Sequence, residues 1–214
     1  MPITLRLKVR SDFTSKMPHA FDYLSSQDTT LKAVIDQYGL PNIQFRDQGF
    51  EAMCHIILEQ QVSIASARAT YQKLLAHLVD ITPGKMLATS DEALRGCGIS
   101  RQKILYLKDM ASRIENGSLD FGKLQGMPEP EIREKLLAIK GVGNWTVEVY
   151  LMFCMQSQDI IPFGDIAIRN AIKELYGCET IEEMEALSTA WQPFRTYASY
   201  ILWHHYLCKR GRTI

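Results

Sequence analysis

The segment that most constrains this chain is LAIKGVGNWTV, residues 137–147. A helical pattern opened by Pro128 and Pro130 runs into it, stops at Gly141-Val142-Gly143 and resumes at once. Glycine costs about 1 kcal/mol in a helix interior, so two of them around a valine mark a turn. The reading is a pair of antiparallel helices, at about 131–155, joined by a hairpin whose glycines allow positive φ and close approach. So tight a turn leaves the backbone N–H groups of Gly143, Asn144 and Trp145 unpaired at the start of the second helix. A helix N-terminus of that kind seats a phosphate, and amides hold phosphate without reading base sequence. The hairpin therefore points to the backbone of a duplex; the bland reading is a joint between two packed helices. An ungapped echo, LRGCGISRQKI at 94–104, shares the leucine, a glycine and the branched residue after it.

The rest of the chain is helix after helix with short connections, an all-α pattern. Phe50, Met53, Cys54 and Ile57 form one helical stripe, and Ala67, Tyr71, Leu74, Leu75 and Leu78 form another, capped by Ser63. Thr89 with Glu92, and Thr180 with Glu183, have capping-box spacing. A long helix stops at Asn116-Gly117, one begun by PFGD ends at Gly177, and a last one begins at Pro193. Residues 3–9 alternate like a short strand. The expected architecture is two helical subdomains flanking a cleft, 45–160 and 1–44 with 161–214, with the termini packed together.

Composition excludes more than it selects. The 214 residues are 46% hydrophobic and carry no net charge. Neutrality gives a nucleic-acid partner no support, although a local basic face is sufficient for one. The cysteines at 54, 97, 154, 178 and 208 are scattered, which argues against a cysteine-ligated zinc or a compact iron–sulfur loop. No cofactor is expected and no metal on side chains; the hairpin carbonyls of Ile139 and Val142 are the candidate seat for a monovalent ion. MPITLRLKVRSDF lacks the apolar core of a signal peptide, and no apolar run spans a bilayer. The expectation is a monomer without a membrane partner and not secreted: cytoplasmic or nucleoid-associated in a bacterium, nuclear in a eukaryote.

The form LxxIxGVGxxT, with Leu136 or Leu137, Ile139 and Thr146, resembles the helix-hairpin-helix superfamily of DNA glycosylases over roughly residues 40–210. The resemblance implies a catalytic Asp one helix and one loop after the hairpin, which falls on Asp165 in QSQDIIPFGDIAIRN, with Arg169 one turn on. Read from the residues alone, Asp165 is a plain N-cap. Both roles suit it, because the positive helix end favours a negative charge and a fixed carboxylate beside a sugar C1′ stabilises an oxocarbenium-like transition state. Members that also cut the strand resemble GVGxK, whose lysine forms a Schiff base. Trp145 stands there in this chain, and Lys140 precedes the glycines, which implies a monofunctional enzyme.

Trp145, with Trp203 in PFRTYASYILWHH, is similar to the alkylation-repair branch of the DNA-3-methyladenine glycosylase II type. The base pocket implied holds Trp145, Trp203, Val149 and His204, the last two standing where that branch has aromatics. Alkylated purines are cationic, and an indole face attracts a cation by about 0.5–2 kcal/mol. HIILEQQVSIASARATY resembles the segment that fills the gap left by a flipped base, with Gln61 as the inserting residue and Gln60, Val62 and Ser63 beside it. GCGISRQKILYLKDMA is similar to the family's CGxSxxKxxYL segment and makes Arg101 and Lys103 candidate phosphate contacts. The implied function is excision of 3-methyladenine and 7-methylguanine from duplex DNA. The alternatives are a glycosylase for a deaminated or 1-methylated base, and a non-catalytic helix-hairpin-helix DNA binder.

Overall fold

The computed structural model describes residues 18–212, and the strand expected at 3–9 lies outside them. Helical backbone at residues 18–27 (α1) is followed by α2 Thr29–Tyr38, α3 Phe50–Glu59, α4 Ile64–Leu78, α5 Pro83–Ala88, α6 Asp91–Gly96 and α7 Arg101–Glu115. Then come α8 Phe121–Leu124, α9 Glu129–Leu137, α10 Asn144–Phe153, α11 Ile166–Tyr176, α12 Ile181–Ser188, a 3-10 turn Thr189–Trp191 and α13 Arg195–Cys208. No strand occurs among the described residues.

The helix starts are dictated locally. Side-chain oxygens of Asp28, Ser63, Thr82, Ser90, Ser100, Asp120, Asp165 and Thr180 accept first-turn amides of α2, α4, α5, α6, α7, α8, α11 and α12, each worth about 1 kcal/mol. The capping box of Thr180 and Glu183 is complete. The one expected at Thr89 is not: Ser90 caps α6, and the Thr89 hydroxyl donates to the Lys85 carbonyl behind it. The last helix begins at Arg195, with Phe194 as its cap residue, two residues later than its proline suggests.

The chain divides into two units, 46–150 and, among the described residues, 18–45 with 151–212. The second division falls inside α10, at 150/151, where the sequence pattern places it at 160/161. In the 46–150 unit, α7 packs against α3, α5 and α6, burying Met53, Ile57, Met86, Leu94, Leu107 and Met110. Tyr150, fully buried, accepts the Gly49 amide on its hydroxyl at 3.0 Å and so closes the start of α3.

In the other unit α13 packs against α2 and α11, around Leu31, Ile168, Ile172, Tyr197 and Ile201. Asp28 ties this unit together. One carboxylate oxygen caps α2, while the other accepts the Tyr176 hydroxyl and the Trp191 indole N–H, both at 2.8 Å. Trp191 is fully buried, and an unpaired N–H there would cost about 1–3 kcal/mol.

Candidate functional site

The hairpin between α9 and α10 is built by groups from three directions. Within the turn, the Val142 amide donates to the Ile139 carbonyl at 3.1 Å, and both side chains are buried. From α7, Asp109 accepts the Lys140 amide at 3.0 Å and the Arg113 guanidinium at 2.8 Å. Burial works against the Asp109 charge, but those donors outweigh it and hold its carboxyl below the usual range. Also from α7, the Tyr106 ring lies against Gly141, so that a Cβ there would fall inside the ring.

Gly141 has φ +76°, as a left-handed turn requires. Gly143 does not share it, contrary to expectation: its φ is not positive, and a Cβ would meet nothing. The reason is positional, since Gly143 is already the cap residue of α10, where Val147 donates to its carbonyl. What Gly143 provides is open space. Its own amide and that of Asn144, both exposed, make no hydrogen bond among the described residues, which leaves two donors at the positive end of a helix.

Four side chains read as DNA contacts turn inward or cap. Thr146 is 2% exposed, and its hydroxyl accepts the Gln60 carboxamide at 2.9 Å. Gln60 also donates to the Gly141 carbonyl at 3.1 Å, so it holds the hairpin rather than facing outward. Lys103 donates to the carbonyls of Leu58 and Gln60 at 2.7 and 2.9 Å, covering the C-terminal end of α3, and burial lowers its pKa. Those two carbonyls at a helix C-terminal end, where a cation is favoured, engage its half-buried ammonium. Ser63 caps α4 at its Ser66 amide.

Between them Gln61 and Val62 remain exposed, Val62 by 46%. Gln61 is held at φ +55°, a conformation costing a non-glycine residue about 1–2 kcal/mol. Arg101 is exposed at the first position of α7, and its guanidinium makes no hydrogen bond or ion pair among the described residues. Glu148, on α10, is 17% exposed with Arg133 at 4.0 Å. Burial, with the nearby Glu129 charge, outweighs Arg133 and pushes its pKa up to about 7.

In the other unit, Asp165 is the N-cap of α11. Its Oδ1 accepts the amides of Ala167 at 2.8 Å and Ile168 at 3.2 Å. The loop delivering it is stapled to the head of α13. Asp159 and Arg195 form a two-bond ion pair at 2.8 Å each, and Thr196 accepts the Ile160 amide at 2.9 Å and donates to the Ser157 carbonyl at 2.8 Å. Two bonds between planar groups fix orientation as well as distance, so Asp165 leaves a rigid loop. The Arg169 side chain, one turn on, makes no bond or ion pair among the described residues.

Trp203 is half-buried with its ring 5.7 Å from Phe153 and 6.3 Å from Tyr200. Phe153 follows Trp145 and Val149 at four-residue spacing along α10. Trp145 is half-buried on the first turn of α10, and Val149 is 5% exposed. His204 is spent elsewhere: Nε2 meets the Tyr38 carbonyl at 3.1 Å, and Cys208 lies beside its Nδ1 at 3.6 Å. It therefore closes the end of α2.

Comparison with known proteins follows this geometry. Residues 54–195 match the family described as HhH-GPD superfamily base excision DNA repair protein. The alkylbase DNA glycosidase-like protein of Schizosaccharomyces pombe is 29% identical over 88% of this chain and 93% of its own length. The crystal structure of a DNA-3-methyladenine glycosidase from Bacillus halodurans superposes with a TM-score of 0.76 at 31% identity, covering 91% of this chain and 92% of that one. The Schizosaccharomyces pombe 3-methyladenine DNA glycosylase in complex with abasic DNA gives 0.77 at 29% identity, covering 86% and 95%. The match spans α3 to the first residue of α13 and takes in both the hairpin and Asp165, and on that ground the chain belongs to the HhH-GPD superfamily of base excision DNA repair proteins.

Proposed function

We propose that this chain is a monofunctional DNA glycosylase that hydrolyses the N-glycosidic bond of alkylated purines in duplex DNA, 3-methyladenine first and 7-methylguanine second. The observation that carries the reading is Asp165, a carboxylate fixed by two amide bonds at the head of α11 and delivered by a stapled loop. Relatives named for 3-methyladenine and alkylbase removal, one of them solved on abasic DNA, support the substrate class.

In this chemistry the bond between C1′ and the purine nitrogen breaks with its electron pair going to the base. Alkylation has already made that base cationic, so it departs neutral. The sugar is left with positive charge that a carboxylate stabilises. Water then adds to C1′ and gives up its proton, with Asp165 orienting or deprotonating it. Trp145 stands at the hairpin position where strand-cutting members carry a Schiff-base lysine, so water and not an amine completes the displacement. The exposed amides of Gly143 and Asn144 and the unengaged Arg101 suit phosphates of the duplex.

Two measurements test the proposal. Asp165→Asn keeps the capping oxygen and loses the charge; base release from methylated DNA falls a hundredfold or more with duplex affinity retained. Activity within a few-fold of the parent would overturn the carboxylate role. Borohydride added during turnover traps no protein–DNA adduct, and strands break only after alkali. A trapped adduct would assign the displacement to a lysine.

A further inference from the structure

The geometry points to Lys103 and the Gln60–Thr146 pair as positioning residues for the exposed Gln61 loop, acting on extrusion of the damaged base and not on phosphate binding or bond cleavage. The inference rests on the glycosylase reading above. Gln61 stands in a left-handed conformation at φ +55°, two residues past the end of α3. A side chain that must occupy the gap left by an extruded base has to stay put while stacked bases press on it. Left to itself, a glutamine would leave that region of φ/ψ for a commoner one.

Two anchors oppose such a relaxation, both on the residue preceding Gln61. The Lys103 ammonium, from the first turn of α7, holds the Gln60 carbonyl at 2.9 Å and that of Leu58 at 2.7 Å. The Gln60 side chain reaches the Gly141 carbonyl at 3.1 Å and the buried Thr146 hydroxyl at 2.9 Å in the α9–α10 hairpin. Residue 60 is thus fixed through its main chain by one hairpin and through its side chain by the other. An insertion loop tied to the phosphate seat transmits the register of the bound backbone to the residue that enters the stack. Such preorganisation spares the ordering of a loop on binding.

The test uses the full chain and two duplexes carrying the same methylated purine, one paired normally and one opposite an abasic site, where no pairing partner resists extrusion. Lys103→Met and Thr146→Val each slow single-turnover base release from the paired lesion by about tenfold, or about 1.4 kcal/mol, and recover to within about threefold of the parent on the abasic-opposed lesion. Their affinity for undamaged duplex and its salt slope stay unchanged, and fluorescence of 2-aminopurine beside the lesion shows less extrusion.

Equal losses on both duplexes would overturn the proposal in favour of a general structural or catalytic role. A weakened undamaged complex with a salt slope smaller by about one would return Lys103 to phosphate binding. Unchanged release from the paired lesion would also overturn it. Circular dichroism follows folding; if Lys103→Met unfolds, Thr146→Val decides alone. A parent protein that releases no base from either duplex overturns the glycosylase reading itself, an outcome distinct from any pattern among the variants.

Discussion

At Gly98 and Gly141 the backbone makes the same left-handed turn, with φ +91° and +76°, and the residues that follow, Ile99 and Val142, are both buried. One residue later the hairpins part. Ser100, between α6 and α7, folds its hydroxyl onto the Lys103 amide at 3.3 Å and so satisfies its own helix. Gly143, between α9 and α10, has no side chain to cap the equivalent amide, that of Thr146; the amides of Gly143 and Asn144, like those of Ser100 and Arg101, make no hydrogen bond among the described residues. Their surroundings differ too. Gly141 is pressed by Tyr106 and its turn is held by Asp109, whereas an added Cβ at Gly98 meets only Thr70 Oγ1, at 3.4 Å. The lesson is that the same turn can be set by a ring packed against its glycine, as at Gly141, or stand without one, as at Gly98.

The largest contrast is steric. Gly141→Ala forces a Cβ into the Tyr106 ring and a non-glycine residue into positive φ, so chemical denaturation records a loss of about 3 kcal/mol or more. Gly98→Ala carries only the φ cost, about 1 kcal/mol. Equal losses would break the claim that Gly141 is set by close approach.

Next is Glu148, whose counterpart by the hairpin alignment is the exposed Leu105. Its folded pKa of about 7 stands above the ordinary 4.5, so between those values the folded state binds more protons than the unfolded one and stability falls as pH rises. Glu148→Gln removes that loss: it gains about 1–3 kcal/mol at pH 8 and nothing near pH 4. A melting profile still falling through pH 5–7 in the variant would refute the assignment.

Asp109 works in the opposite sense. Its folded pKa lies below the ordinary 3.8, so its contribution is full above that value and is lost as pH falls through the depressed one. Asp109→Asn costs about 1–2 kcal/mol at pH 7, a difference that closes as the pH falls below the ordinary 3.8 and through the depressed value. The smallest effects come from exchanging the caps. Gly143→Ser builds the Ser100 arrangement in front of the open amides and weakens binding to damaged and undamaged duplex alike by about tenfold, one charged hydrogen bond. Ser100→Gly alters stability by a few tenths of a kcal/mol and leaves duplex affinity unchanged. Should the two exchanges affect DNA binding equally, the amides of Gly143 and Asn144 are not the seat.

Much of this was legible because the signals are local. The glycine break at 141–143, the cap at Asp165 and the stop at Gly177 depend on residues within one turn of each other, and the structure has each where the pattern puts it. The misreadings concern long side chains whose partners are far away in sequence. Lys103 read as a surface cation because nothing within a turn of it announces the Leu58 and Gln60 carbonyls, 45 and 43 residues earlier. Gln60 and Thr146 stand 86 residues apart, and Asp159 and Arg195 stand 36 apart. His204 and the Tyr38 carbonyl that it meets at the end of α2 stand 166 residues apart.

The sequence by itself determined that the chain is helical, where most helices begin and end, and that a glycine hairpin followed by an indole precedes a capped carboxylate. Those are matters of backbone conformation, capping and residue type, settled within a few residues. Only the tertiary structure decided which polar groups remain available. A lysine, a threonine and a glutamine with outward-looking patterns are consumed inside, because a buried carbonyl or hydroxyl left unpaired costs about 1–3 kcal/mol and the nearest suitable donor in space takes it. The amides of Gly143 and Asn144, at the start of a helix, make no hydrogen bond among the described residues.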